Sequence, residues 1–292
     1  MQVPASVINM VMSKYEKFPI ALTGCRVTNY ALDCCEYDFI ILSDDNIHEL
    51  LYVDDTYAEM HAIQPKPDLY QIAPLLQNIQ IISDPSWALA TLKQDIEIVM
   101  PKALLLYARN KTVDALFYAN KAREVTKDNV QLSSLFLKCA AYYYLEAVIA
   151  RNGARPMPTH MLAQLRSISE NIESEGITVA STCLGLERAN RSSVSRCMEA
   201  TIGLNESIAK NHTTKIVSRK AQFLLQSGMY ADCYFYLGYI ARNAAVRIVS
   251  DPKALKNYMF MMNIALDLTT DQSFILKLSN DLIDSCNALL LR

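Results

Sequence analysis

Glycine is scarce in this sequence, with 7 residues among 292, and Gly24 is the only one before Gly153. The glycine-rich phosphate loops of P-loop and dinucleotide-binding proteins do not occur, nor does the G-x-S-x-G turn of α/β-hydrolases. The C-x-x-C spacing typical of zinc and redox sites is also absent among the 8 cysteines. These absences exclude the functions that such motifs mark. We expect the cysteines to be reduced, buried thiols.

Long apolar runs are missing as well. No stretch reaches the roughly 18–20 apolar residues that span a bilayer. The segment Met1–Phe18 carries Lys14, Glu16 and Lys17 in an amphipathic pattern and does not resemble a signal peptide. Hydrophobic residues still make up 51% of the chain, so it can bury a sizeable core. We therefore expect a soluble, cytoplasmic protein with no membrane partner.

Charge is distributed unevenly along the chain although the net charge is only −2. Residues 1–97 hold 5 basic and 14 acidic side chains, whereas residues 98–292 hold 23 basic and 16 acidic ones. The acidic part suits cation binding. The basic part suits phosphate or acidic partners, or it reflects helical surfaces rich in Lys and Arg. The overall charge gives no strong nucleic-acid signature.

The first 97 residues alternate short strands and short helices. Two segments of strand-like alternation flank Asp54-Asp55, which indicates a hairpin. A proline ends the first helix, and turn residues separate the strands. The predicted helices are Val3–Phe18, Thr28–Cys34 and Leu69–Leu76, and the predicted strands are Ile20–Thr23, Tyr37–Leu42, Ile47–Val53, Thr56–Ile63 and Ile79–Ile82.

After Pro85 the pattern changes to apolar residues at i, i+3, i+4 and i+7, as in the run from Leu132 to Tyr143. Such spacing is typical of amphipathic helices. We predict an α+β protein with a mixed β-sheet domain at residues 1–97 and an all-helical domain at residues 98–292. A further subdivision near residues 155–185 is left open.

Two acidic residues stand at alternate positions where the second strand begins. Strand side chains alternate between faces, so Glu36 and Asp38 project from the same side. Paired carboxylates repel each other unless a cation joins them, and Mg²⁺ is commonly held by such a pair together with substrate phosphates. Gly24 follows the preceding strand, where its lack of a side chain permits close approach of a ligand. The predicted helix that follows would direct N–H groups at a phosphate.

These residues resemble the signature of the nucleotidyltransferase superfamily that includes DNA polymerase β and kanamycin nucleotidyltransferase. That signature has a Gly-(Gly/Ser) turn, a spacer, and then an Asp-apolar-(Asp/Glu)-apolar strand. Here Gly24-Cys25, ten intervening residues and Glu36-Tyr37-Asp38-Phe39 follow the same order. The departures are Cys25 in place of Gly or Ser, and Glu36 in place of the first Asp.

The resemblance implies roles for individual residues. Gly24 and Cys25 would hold the phosphates of a nucleoside triphosphate (NTP). Glu36 and Asp38 would bind Mg²⁺ or Mn²⁺. A later strand supplies a third carboxylate in the family, and Glu59 matches it here, as a metal ligand or a catalytic base. The implied activity is transfer of a nucleotidyl group to an unknown acceptor, and kanamycin-type relatives suggest a homodimer.

Other interpretations stay open at this stage. Because Cys25 and Glu36 depart from the signature, the chain could be a non-catalytic binding or scaffold protein whose helical region forms the interaction surface. The helical part is loosely similar to HEPN-type domains, and Arg155 and His160 are spaced like the ribonuclease motif of those domains. Pro156 and Pro158 favour a loop there instead. We expect His48 and His212 to have no metal-binding partners.

Overall fold

The computed structural model describes residues 3–169, 174–209 and 213–291. It forms two compact units. The first unit contains Met1–Leu106 and the short segment Gly153–Met157, and the second contains Tyr107–Asn152 and Pro158–Arg292. The expected α+β class, with a mixed sheet followed by an all-helical region, is confirmed.

The first unit is built around one five-stranded sheet in the order β3-β4-β2-β1-β5. Strands β2 and β4 are parallel, and the other neighbouring pairs are antiparallel. The elements of this unit are α1 (Ala5–Tyr15), β1 (Ile20–Thr23), β2 (Tyr37–Leu42), β3 (His48–Val53), β4 (Thr56–Ile63), α2 (Leu69–Ile72), β5 (Gln80–Ser83) and the start of α3 (Ala88–Val125).

Both faces of the sheet are covered, because alternate side chains of β1 and β2 enter different cores. Phe39 and Ile41 pack with Val7 and Val11 of α1 on one face. On the other face, Ile40 packs with residues of the segment after β4 and with the first turns of α3. The end of the sheet where β1 stops and β2 starts therefore stands on a rigid, two-sided core.

One predicted helix is wrong. Residues 28–36 contain no helix, and Gly24–Val27 forms a single 3-10 turn instead. Thr28 ends that turn in an extended conformation, and its hydroxyl donates a hydrogen bond to the Cys25 carbonyl and accepts one from the Tyr30 amide. Such side-chain bonds offer the backbone an alternative to a helix. The expected helix N-terminus for a phosphate is therefore not formed.

The long helix α3 begins in the first unit and continues into the second. The predicted domain boundary, between residues 97 and 98, lies inside this helix. The return of Gly153–Met157 to the first unit was not predicted. Hydrogen bonds hold it there: Gln77 donates to the Gly153 carbonyl at 2.6 Å, and the Arg155 guanidinium donates to the Leu75 carbonyl at 2.5 Å.

The second unit is a helical assembly around α4, whose middle turns are buried on every side. Tyr142, Tyr143 and Tyr144 are all buried and pack in the core of this unit. The helices are the remainder of α3, α4 (Val130–Arg151), α5 (Met161–Ser169), α6 (Ser174–Leu184), α7 (Arg191–Ala209), α8 (Thr213–Gln226), α9 (Tyr230–Ile248), α10 (Pro252–Leu266) and α11 (Gln272–Leu291).

An ion pair is buried inside this unit. Arg242 of α9 donates to the Glu146 carboxylate of α4, and both side chains are almost fully buried. The guanidinium lies 4.4 Å from the centre of the Tyr143 ring and 4.5 Å from that of Tyr239. Tyr107 also donates to Glu146. Lys111 of α3 lies 3.5 Å from Glu146 Oε2 as a second cationic partner. The Glu146 carboxylate thus joins three helices through two ion pairs and one hydrogen bond.

By length and composition, α4 passes as a candidate membrane span, with a mean hydropathy of 1.2. It is the one such helix within the described ranges, and 89% of its most apolar stretch is buried inside the structure. Buried core helices meet the same test, so the match is weak evidence for a span.

Candidate metal and nucleotide site

Three acidic side chains meet at the end of the sheet. Glu36 directly precedes β2, Asp38 belongs to β2, and Glu59 belongs to the neighbouring β4. The parallel register pairs Asp38 with Glu59, so these two side chains share a face. Each of the three residues offers a carboxylate oxygen, and these oxygens lie within 4.8 Å of one another. The structure thus brings together the three residues that the sequence suggested as metal ligands.

Gly24 lies against this group. It follows β1, and its neighbour Thr23 pairs with Asp38 in the antiparallel register. The Gly24 backbone has φ of +75°, which other residues adopt at a cost. Asp38 occupies the space beside its Cα. Both the positive φ and the position of the Asp38 side chain therefore favour glycine at this position. The structure also confirms the predicted closeness of the glycine turn to the carboxylates.

Cys25, the other predicted phosphate contact, is buried. Its backbone carbonyl accepts hydrogen bonds from the amide and the hydroxyl of Thr28. All eight cysteines lie in the described ranges, where each is buried and none forms a disulfide. The expectation of buried thiols is confirmed.

The carboxylate of Glu59 is held by two histidines. His48 Nε2 lies 3.1 Å and His61 Nε2 lies 3.3 Å from Glu59 Oε1. The two imidazole rings stack with centroids 4.6 Å apart. Burial raises the pKa of Glu59, but the hydrogen bonds and charge of His61 and His48 outweigh burial and hold its pKa below the ordinary value. The lowered pKa keeps the Glu59 carboxylate ionised, as metal binding requires, and makes it a weaker proton acceptor than an ordinary glutamate.

The expectation that His48 lacks metal-binding partners is wrong, because His61 and Glu59 surround it. The register of the β3–β4 hairpin, which can be counted from the sequence, would have predicted this contact. A two-residue turn at Asp54-Asp55 pairs Val53 with Thr56, and counting back along this register pairs His48 with His61. Directly paired side chains are close neighbours on one face. His212, the other histidine without expected partners, lies outside the described residues.

Arg26 is a buried residue of the site that the sequence did not reveal. Its Nε donates to the Cys35 carbonyl at 3.1 Å, and Nη2 donates to the Cys35 carbonyl and to the Asp33 carbonyl at 3.2 Å. The guanidinium also lies 4.5 Å from the centre of the Tyr37 ring. Arg26 thereby fixes the loop that leads into Glu36.

A polar cavity of about 460 Å³ lies in the first unit, within the size range of small-molecule sites. Part of its lining is the segment directly after Gly24-Cys25, and another part is the start of β5, the strand beside β1. Its charged side chains are Arg26, Lys93 and Glu97. The full lining is Arg26, Val27, Thr28, Asn29, Gln77, Asn78, Ile79, Gln80, Lys93 and Glu97.

The structure gives no support to a ribonuclease role for Arg155 and His160. Arg155 has its backbone amide bonded to the Gln77 side chain at 2.7 Å and its guanidinium bonded to the Leu75 carbonyl. These contacts anchor the Gly153–Met157 segment. His160 is buried in the second unit.

Comparison with known proteins gives little beyond this geometry. No protein-family model matches the sequence, and no curated protein does either. Among solved structures, a nucleotidyltransferase-like protein from Exiguobacterium sibiricum 255-15 is similar over 89% of this chain and 88% of that chain, with a TM-score of 0.37 and 10% identity. A likeness this remote carries no information on activity, and the fold class rests on the strands and helices themselves.

Proposed function

We propose that the first unit binds a nucleoside triphosphate together with Mg²⁺ or Mn²⁺ and transfers its nucleotidyl group to an acceptor that the sequence does not identify. The observation that carries the proposal is the meeting of Glu36, Asp38 and Glu59 beside Gly24. Glycine turn and carboxylates lie on neighbouring strands, in the order of the nucleotidyltransferase signature.

The donor set fits the proposed metal. Carboxylate oxygens are the ligands that Mg²⁺ and Mn²⁺ prefer, and these ions usually complete their coordination with water and substrate phosphates. When bound, such an ion neutralises phosphate charge and stabilises the attacking and leaving oxygens. Glu36, Asp38 and Glu59 would hold the ion.

The remaining residues would hold and orient the substrate. The Gly24-Cys25 turn would contact phosphate, because the glycine allows close approach, although a thiol is a weaker hydrogen-bond partner than the serine hydroxyl it replaces. The polar cavity that starts at Arg26 would accommodate the rest of the nucleotide, with Arg26 and Lys93 as its basic side chains.

The first test of the proposal is metal-dependent nucleotide binding. Purified protein is mixed with each labelled NTP and Mn²⁺ or Mg²⁺, and nucleotide binding is followed by protection against thermal unfolding. We expect metal-dependent protection that Asp38→Asn and Glu36→Gln abolish. Asp44→Asn is the matched control, since it removes the same charge from an exposed position after the other end of β2. Protection that is unchanged in both site variants would contradict the proposal.

A second function is favoured by the contacts of Glu59. Its carboxylate already has two histidine partners, and Cys25 and Glu36 depart from the signature, as expected for a binding or scaffold protein that has lost catalysis. The helix α3 also exposes large apolar side chains, among them Ile98, Leu105 and Phe117. Absence of both NTP binding and label transfer, with a folded protein, would support this function.

A further inference from the structure

His48, Glu59 and His61 form a second constellation of metal-binding groups on the β3–β4 hairpin. Each residue offers a ligand atom, and these atoms lie within 4.8 Å of one another. Both imidazole Nε2 atoms point at the same carboxylate oxygen, at 3.1 and 3.3 Å. This donor set differs from the all-carboxylate group beside it, because two of its three ligands are nitrogen.

We propose that His48, Glu59 and His61 bind a divalent transition metal ion such as Zn²⁺ or Co²⁺. Two imidazoles and one carboxylate suit these ions, whereas Mg²⁺ prefers oxygen ligands alone. The inference goes beyond the proposed nucleotidyl transfer, and it shares only Glu59 with that site.

The observed spacing fits such an ion. Metal–ligand bonds of about 2.0–2.2 Å set neighbouring donor atoms about 2.9 Å apart at a right angle and about 3.4 Å apart at the tetrahedral angle. The two Nε2–Oε1 distances of 3.1 and 3.3 Å lie between these values. An ion could therefore replace the two hydrogen bonds with small side-chain movements.

The hairpin holds the three ligands in place. His48 and His61 are paired in the antiparallel register, and Glu59 lies two residues before His61 on the same face. The stacked imidazoles orient each other. Ligands on paired strands are better fixed than ligands on loops, and this reduces the entropy lost on binding.

The site is open to solvent on one side. The side chains of His48 and His61 are 46% and 44% exposed, whereas Glu59 is 12% exposed. Three protein ligands with an accessible face leave room for water or a further ligand, which is the arrangement of binding and catalytic sites and not of closed structural sites.

Titration of the tag-free, full-length protein with Co²⁺, followed by visible absorption, tests the proposal. We expect one equivalent of Co²⁺ to produce ligand-field bands, and Zn²⁺ to displace it. His48→Ala and His61→Gln should each weaken Co²⁺ binding by more than about tenfold, the lower limit seen when only an outer-shell partner is lost. Tyr52→Ala, an exposed position on the same face of β3, is the control and should keep the affinity.

The outcomes separate this site from the nucleotide site. Asp38→Asn removes a carboxylate of the NTP site only, so Co²⁺ binding should persist in that variant even where NTP protection is lost. Unchanged Co²⁺ affinity in both histidine variants would overturn the proposal, as would a thiolate-to-cobalt charge-transfer band, which indicates cysteine ligands. If a variant fails to fold, Co²⁺-induced broadening of the His48 and His61 imidazole resonances in the unaltered protein gives the answer, and sharp resonances at saturating Co²⁺ would overturn it.

Discussion

A Cβ atom built on Gly24 would lie 2.0 Å from Oδ2 and 3.0 Å from Cγ of Asp38, so the Asp38 carboxylate fills the space that a side chain at position 24 would need. The same glycine has a positive φ of +75°. Gly24 is therefore constrained both by its backbone conformation and by the space that Asp38 fills. Gly153, in the same unit, has only the first constraint: its φ is +81°, and no atom lies within 4 Å of a Cβ built on it. Substitutions at the two glycines can therefore separate the two effects.

Gly24→Ala is predicted to destabilise the protein more than Gly153→Ala. Both substitutions add backbone strain of about 1–2 kcal/mol in the left-handed region. Only Gly24→Ala also displaces Asp38, and forced overpacking of this kind costs about 1–3 kcal/mol more. Urea unfolding of both variants measures the difference. Equal losses in the free energy of unfolding would show that Asp38 moves aside freely.

The strands and the closeness of the glycine turn to the carboxylates were predictable, but several other contacts between distant residues were not. Tyr37–Leu42 and Thr56–Ile63 were predicted with the observed bounds, because alternation and turn residues are local signals. The closeness of Glu36, Asp38 and Gly24 followed from strand alternation and the family signature. His48 was missed, although the hairpin register contained its pairing with His61.

The errors share a physical cause. The helix expected at residues 28–34 gives way to a loop, because the Thr28 hydroxyl bonds to the backbone at its start and the buried Arg26 bonds to the carbonyls of Asp33 and Cys35 at its end. No local pattern signals that an arginine will be buried. The return of Gly153–Met157 to the first unit likewise depends on Gln77, which is distant in sequence.

Arg26→Met is predicted to destabilise the first unit and to weaken metal-dependent nucleotide binding. The substitution keeps apolar bulk but removes the donors to two carbonyls, and losing the bond to the buried Cys35 carbonyl costs about 1–3 kcal/mol. Arg26→Lys should not restore the loss, because one ammonium group cannot reproduce the planar, forked contacts and the stacking on Tyr37. Thermal unfolding measures the first effect, and Mn²⁺-dependent NTP protection measures the second.

The control for Arg26 is Lys17→Met, which removes a charge from an exposed position in the same unit. It should change the unfolding temperature little. Full stability of Arg26→Met would mean that the loop before Glu36 is ordered by other contacts.

Arg242→Met is predicted to lower the free energy of unfolding by up to about 3–5 kcal/mol, because it leaves the buried Glu146 charge with only Lys111, 3.5 Å away, as its cationic partner. The double variant Arg242→Met/Glu146→Leu should recover much of this loss, since a well-packed apolar pair avoids the desolvation of both charges. Denaturant unfolding of single and double variants gives the coupling energy.

An exposed ion pair provides the comparison. Lys121 and Glu124 lie 2.9 Å apart on the surface of α3, and Lys121→Met should cost less than about 1 kcal/mol. If Arg242→Met behaved like Lys121→Met, the Glu146 carboxylate would have to be satisfied by its other contacts, Lys111 and Tyr107.

The stability of the second unit is predicted to fall as the pH rises above about 9, because buried thiols cannot ionise while the unit is folded. Burial raises the pKa of Cys139, Cys183, Cys233 and Cys286 to about 12, and of Cys197 to about 11. In the unfolded chain these thiols lose their protons near pH 9, so unfolding releases protons there. Each thiol then lowers the free energy of unfolding by up to about 1.4 kcal/mol per pH unit.

Lys138 opposes this trend but is outnumbered. Burial lowers its pKa to about 8, so its contribution to stability increases with pH above 8 until the unfolded lysine also loses its proton. The five thiols each decrease the free energy of unfolding above pH 9, and near pH 10 buried tyrosines such as Tyr239, whose pKa burial raises to about 12, add to this decrease. Together they exceed the increase from Lys138, so the unit loses stability above pH 9. Urea unfolding under reducing conditions at about pH 8, 9 and 10 measures the slope. Cys286→Ala should make the slope shallower by about 0.7 kcal/mol per pH unit between about pH 8 and 10, because the unfolded thiol is only half ionised at about pH 9, and Ser285→Ala should leave the slope unchanged. Parallel slopes for wild type and Cys286→Ala would contradict the prediction, because they would mean that the Cys286 thiol ionises as readily in the folded protein as in the unfolded chain.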